Sequence, residues 1–266
     1  MNKYTQLLFC AATALSCTLL DSCRTVPITG RTQFIMSSAS EENALGLQAF
    51  TQERQQHGQS TNATYNAVLK RCASALIAVA DEDSFDWQVS VLNSKEQNAF
   101  CAPGGKIGVY SGIMDLMNNE AELAFVVAHE IGHAIARHYG ERTAWNSVVQ
   151  AGGEVLKNID PNSTASALYG PAAQLGITLP FSRRNEYEAD EIGMILMARA
   201  GYNPNAAIEF WSRFSGGNAS SGSMLSGLMR THPKDADRIN AMKEILPRAQ
   251  EEYAKAATKR GYGSSF

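Results

Sequence analysis

Three things are scarce in this 266-residue sequence, and each scarcity narrows what it can be. Basic charge is not in surplus, since 23 Lys and Arg stand against 26 Asp and Glu for a net charge of −3. Both signs are interspersed, so no footprint for a phosphate backbone forms and nucleic acid drops out as a partner. Cysteine is sparse: five residues, three of them (Cys10, Cys17 and Cys23) near the N-terminus. Cys72 and Cys101 are left for the folded part, as one disulfide or as two buried thiols. Long apolar runs are also missing. The N-terminal run "LLFCAATALSCTLL" has about 14 apolar or small residues, short of the ~20 needed to span a bilayer. No internal repeat is present, which excludes a solenoid or tetratricopeptide array.

A short apolar run behind Lys3 has instead the form of a secretory signal over residues 1–22. "LLDSC" (Leu19–Cys23) resembles a bacterial lipobox, which makes Cys23 the lipidated first residue of the mature chain, with Cys17 as a competing position. The polar "RTVPITGRTQ" that follows Cys23 reads as a tether over 23–37, so the protein is expected to be held at a membrane by lipid without crossing it.

The hydrophobic core available to 44% apolar residues then organises mainly into helices. Ser38 and Glu41 have capping-box spacing and open a helix over about 39–56. "TYNAVLKRCASALIAVA" carries Val68, Cys72, Ala75, Leu76 and Val79 on one face. "DWQVSVLN" alternates as a strand, and "AFCAPGGKIGVYSGI" reads as strand, turn and strand, giving a small antiparallel sheet. From Ser111 onward the pattern is helical, with one long helix expected through "NNEAELAFVVAHEIGHAIARHYG" to Gly140, another in "SRRNEYEADEIGMILMARAG" and one near 235–246. The expected fold is therefore α+β and mainly helical, with a domain over 38–250. Glycine and proline break up 141–180, and 251–266 reads as a flexible tail.

The chemistry concentrates in "HEIGH". His129 and His133 are one helical turn apart, so their side chains leave one face about 6 Å from each other. Both imidazoles can then reach one Zn²⁺ at about 2.0–2.1 Å. Glu130, about 100° further round the helix, is placed to take a proton from water that the metal has acidified. Buried imidazoles and carboxylates are costly unless paired or metal-bound, and this motif sits in an apolar run. A catalytic zinc wants a third protein ligand. Ala136 and Tyr139 stand where the HExxHxxGxxH pattern needs Gly and His, and His138 falls on another face, near the helix surface. "NEYEADEIG" supplies the alternative: Glu186 and Asp190 lie four apart, with Ala189 and Gly193 small enough to let this helix approach the first. Glu186 is assigned to the zinc, and Asp190 to the other N–H of a ligand histidine. Glu188 points elsewhere.

"HEIGH" followed by "SRRNEYEAD" resembles peptidase family M-48, the HtpX/BepA/LoiP/Oma-type gluzincins. The likeness extends through "CRTVPITGRTQF", "NAFCAPGGKIGVYSGI" and "THPKDADRI", and is closest to the short LoiP-like periplasmic lipoproteins. It implies a gluzincin-type zincin fold, one Zn²⁺ per chain held by His129, His133 and Glu186, and a lid over 141–180. His232 in "THP" matches a position that can cap the metal as a fourth ligand, although a plain loop histidine fits there as well. Arg183 or Arg184 contacts substrate, contacts the residues behind the metal ligands, or is simply solvated.

Together these readings give a zinc endopeptidase of a bacterial cell envelope, facing the periplasm, with its lipid in the outer rather than the inner membrane. Its expected substrates are unfolded or misassembled envelope polypeptides. These would add as a strand along Asn98, Ala99, Phe100 and Cys101, where backbone pairing gives affinity with little sequence preference. The alternative is a chaperone or assembly factor for envelope proteins that cuts little.

Overall fold

The computed structural model describes residues 23–159, 179–216, 232, 236–261 and 265–266. The expected signal over 1–22 and residues 160–178 of the expected lid lie outside these.

The chain begins with β1 (Cys23–Thr25) and β2 (Thr32–Phe34), an antiparallel pair in which Cys23 faces Phe34. This is a correction to the tether expected over 23–37. Val26 and Ile35 are buried, so the segment is clasped to the domain by apolar burial. Helix α1 (Ala39–His57) starts where the capping box placed it. Ser38 Oγ accepts from the Glu41 backbone N–H, and Glu41 accepts from the Ser38 N–H in return. Helix α2 (Ala63–Ile77) buries Val68, Leu69, Cys72, Ala73 and Leu76. Cys72 and Cys101 are both free thiols, so the disulfide alternative falls away.

Strands β3 (Gln88–Leu92), β4 (Ala99–Ala102) and β5 (Lys106–Tyr110) form a sheet in the order β3-β5-β4. The β4–β5 hairpin is antiparallel as expected, turned by Gly104 and Gly105 at φ 76° and 79°. Strand β3, however, joins the far side of β5 and runs parallel to it. Two chain reversals separate β3 from β5, so pairing with β5 in place of β4 makes the ladder parallel. This order leaves β4 as an edge strand.

Helix α3 (Ser111–Met114) leads into α4 (Glu120–Ile135), the centre of the molecule. Asn119 caps α4 by accepting from the Glu122 N–H. Apart from the part-exposed His133, every residue of α4 is buried. Helix α2, the sheet, α6 (Leu179–Arg199) and α7 (Asn205–Gly216) pack around it. The architecture is thus α+β and mainly helical, as expected.

Two expectations about helix extent are corrected. The motif helix does not run to Gly140: it stops at Ile135, Arg137 takes a left-handed φ of 49°, and α5 (His138–Ile159) starts afresh. The left-handed residue costs roughly 1–2 kcal/mol. It is held by its own side chain, which donates to both oxygens of the buried Glu42 at 2.9 and 2.8 Å and to the Ser37 carbonyl at 3.0 Å. The C-terminal stretch is not a loose tail either. Helix α8 (Ala236–Lys255) ends nine residues later than expected, and Arg260 then bridges to Tyr202. Among the described residues no helix is long and apolar enough to cross a membrane.

Candidate metal centre

Helices α4 and α6 approach closely because small residues line their contact. A Cβ added at Gly193 would meet His129 N at 2.9 Å, and one at Gly132 would meet Ala189 O at 3.1 Å. That approach sets His129 and His133 on α4 against Glu186 on α6. His129 Nε2 lies 3.1 Å from His133 Nε2 and 3.5 Å from Glu186 Oε2, and His133 Nε2 lies 3.4 Å from Glu186 Oε1. Two ligand atoms at 2.0–2.1 Å from a tetrahedral zinc stand about 3.3–3.4 Å apart, so this spacing fits a small divalent metal. His232 joins the group, with Nδ1 3.2 Å from His129 Nε2 and 2.9 Å from Glu186 Oε2. These four side chains are the cluster whose donor atoms could hold a metal ion.

Glu130 sits beside the group rather than in it, with Oε1 3.1 Å from His232 Nε2. Burial disfavours its charged form, but His232, His129 and His133 outweigh that and hold its carboxyl below the usual range. Glu186 lies well below its usual value for the same reason: burial is overridden by His133, His129 and His232. His232 is pushed up to about 10, because Glu130 and Glu186 outweigh the penalty of burying its charge.

Behind the histidines stand two supports. Asp190 Oδ1 is 2.9 Å from His129 Nδ1. Asp190 is itself gripped by Arg238, whose Nε and Nη2 donate to its two oxygens at 2.7 Å each, while Nη1 donates to Glu186 Oε2 at 2.9 Å. Arg238 is buried and lies over the Trp211 ring at 4.1 Å from its centre. The other support is His138, whose Nδ1 is 2.8 Å from His133 Nδ1 and whose Nε2 is 3.0 Å from Glu188 Oε2.

The structure therefore brings His129, Glu130, His133, Glu186, Asp190 and His232 together. His138 is a correction: it stays outside the metal group but is buried, not surface-exposed, because the Arg137 turn swings it behind His133. Sequence reasoning also passed over Glu188 and Arg238. The signal for Arg238 was in "THPKDADRI", an arginine within reach of two helical carboxylates. A third residue missed is Asn185, buried at 6% exposure, whose Oδ1 has no partner among the described residues.

Glu130, His133, His138, Glu186 and His232 line a cleft of about 620 Å³. Its walls are α1 at Leu45 and Ala49, β4 at Phe100 and Cys101, and α6 at Asn185 and Glu186. Of the expected substrate strand, Phe100 and Cys101 line the cleft, Ala99 turns into the core, and Asn98 precedes β4.

An HExxH helix that meets a glutamate from a second helix defines a metallopeptidase centre of the zincin class. The comparisons with known proteins agree. The model for Peptidase family M48 matches residues 59–246. "Mitochondrial metalloendopeptidase OMA1" of Schizosaccharomyces pombe is 33% identical over 228 residues, 85% of this chain and 67% of that protein. Its Arabidopsis thaliana namesake is 36% identical over 188 residues, 66% of this chain and 36% of that protein. "Beta-barrel assembly-enhancing protease" of Escherichia coli is 28% identical over 262 residues, 92% of this chain and 53% of that protein. The chain belongs to this peptidase family and is a metalloendopeptidase. The expected address, a lipoprotein of a bacterial outer membrane, is corrected by the same comparison: the yeast, plant and fish relatives are named as mitochondrial.

Proposed function

We propose that the chain is a zinc-dependent endopeptidase that cleaves unfolded or misassembled polypeptides beside a membrane. The observation that carries this reading is the 3.1–3.5 Å triangle of His129, His133 and Glu186 donor atoms with Glu130 next to it. His129, His133 and Glu186 would hold the zinc, and Asp190 keeps His129 oriented through its Nδ1. Zinc, when bound, supplies Lewis acidity that acidifies water and polarises a peptide carbonyl. Glu130 takes the proton from the attacking water and then gives it to the leaving amine, serving as base and acid in turn. The outer edge of β4 receives an extended substrate by backbone pairing, which favours unfolded chains over folded ones.

His232, in contact with His129, Glu186 and Glu130 alike, would supply a fourth donor to the metal while the cleft is free of substrate.

The test of mechanism is Glu130→Gln. This variant should keep zinc stoichiometry at wild-type level and lose casein cleavage, by about 10²-fold or more for a missing general base. Full activity in it would refute the assignment. A rival reading, an assembly factor that rarely cuts, draws on His232 standing against Glu130. It requires Glu130→Gln to rescue an assembly defect as well as wild type does.

A further inference from the structure

The N-terminal hairpin reaches the metal centre through a chain of hydrogen bonds that no catalytic step uses. Arg31 lies in the turn between β1 and β2, and its Nη1 and Nη2 each donate at 2.8 Å to the two oxygens of Glu141 on α5. Its Nε donates at 2.8 Å to Glu188 Oε2 on α6, and Thr29 Oγ1 donates at 2.6 Å to Glu188 Oε1. Arg31 thus locks the start of α5 to α6. That junction is where His138 sits, with Glu188 on one nitrogen and His133 on the other.

We propose that Arg31 is a positioning residue of the metal centre, acting through Glu188 and His138 on the tautomer and ring orientation of His133. With His133 read as a zinc ligand, the proton positions follow from each group's partners. An ionised Glu188 can only accept hydrogen bonds, so His138 Nε2 carries the proton that meets it. A neutral imidazole has one donor nitrogen, which leaves His138 Nδ1 as an acceptor. His133 Nδ1 must then donate to it, and the lone pair of His133 falls on Nε2, the atom that faces His129 and Glu186. Ligand histidines are commonly fixed in this way by a carboxylate or carbonyl. Here a second histidine is interposed, and a planar arginine holds the carboxylate in place. Arg31 lies outside residues 59–246, the part matched by the family model. The hairpin is therefore part of the catalytic unit, not merely a connection leading up to it.

The test measures zinc dissociation constants by competition with a chromophoric chelator, on the full chain. Urea unfolding of the metal-free proteins is followed alongside. Arg31→Ala should weaken zinc about ten-fold, the low end of the 10–100-fold seen when such outer partners are removed, since it acts one residue further out. Arg31→Lys keeps the charge but loses the two-pronged grip, so it should fall between wild type and Arg31→Ala. If Arg31→Ala does not fold, Arg31→Lys carries the test alone, and wild-type zinc affinity in it overturns the proposal. Arg213→Ala is the control. It removes an ion pair to the buried Glu122 on α4, and should cost stability while leaving zinc affinity unchanged. The decisive arm is the double variant Arg31→Ala/His138→Leu, which should bind zinc no more weakly than His138→Leu alone, because the two residues act in series. Additive losses, or an Arg31→Ala that folds and binds zinc like wild type, would overturn the proposal. A wild-type chain that binds no zinc would instead sink the reading of the site itself.

Discussion

Replacing Gly193 by alanine puts the close approach of α4 and α6 to a quantitative test. The added Cβ would stand 2.9 Å from His129 N, 3.0 Å from His129 Cα and 3.2 Å from Ala128 C. Ordinary carbon contacts lie near 3.5–4.0 Å, so the methyl is too close by about 0.5 Å. All three neighbours are backbone atoms, which cannot rotate aside, so the helices themselves must part. Overpacking of this kind costs about 1–3 kcal/mol. At about 2–4 °C per kcal/mol for a chain of this size, the metal-free protein should melt about 2–12 °C lower. The effect on metal should be larger in proportion. His129 and His133 ride on one helix and Glu186 on the other, whereas metal–ligand distances tolerate only about ±0.2 Å. Zinc affinity should therefore fall by well over ten-fold. Differential scanning calorimetry of the chelator-stripped protein, with chelator competition for zinc, reads both numbers. An alanine variant with wild-type melting temperature and wild-type zinc affinity would refute the reasoning.

Other expectations follow from single groups. Asn185→Leu removes a buried amide oxygen that has no partner among the described residues. It should raise the melting temperature of the free protein, because such a group costs about 1–3 kcal/mol, and a lowered one would show that Asn185 is satisfied. Acid should destabilise the metal-free fold in two stages. His138 is held down at about 4 chiefly by burial, so stability starts to fall below the ordinary histidine value of about 6.5. Glu188 is pulled down to about 2 against the cost of its burial, by His138, Arg31 and Thr29. Its contribution is complete above the unfolded carboxylate value of about 4.3 and disappears as pH falls towards 2. Urea midpoints of wild type and Glu188→Gln from pH 7 to pH 3 would check this, and parallel curves below pH 4.5 would count against it.

Much of the site was legible because it obeys local rules. The HExxH spacing follows from 3.6 residues per turn, the Ser38–Glu41 cap follows from helix-end chemistry, and Ala189 and Gly193 announced a close helix contact. What stayed hidden depended on long-range contacts. Nothing in "AIARHYG" signals a helix break, since Arg137 is neither glycine nor proline. Its left-handed turn is held by Glu42, which is 95 residues away in sequence. His138 was misplaced as a direct result, and with it Glu188, whose partner could not be named until the turn was known. The parallel pairing of β3 with β5 was hidden in the same way. Alternation marks a strand but not which edge it will join.

Helix α4 also offers a built-in gauge of stability. Enclosed by helices and sheet, its backbone amides meet solvent only when the whole fold opens, so their hydrogen exchange should be limited by global unfolding. The exchange rate of an amide such as Val127 then reports the total free energy of unfolding at equilibrium. Repeating the measurement at several zinc concentrations would trace RT ln(1 + [Zn]/Kd) directly. Zinc affinity could thus be read from the motif helix itself, in a variant such as Glu130→Gln, without any turnover.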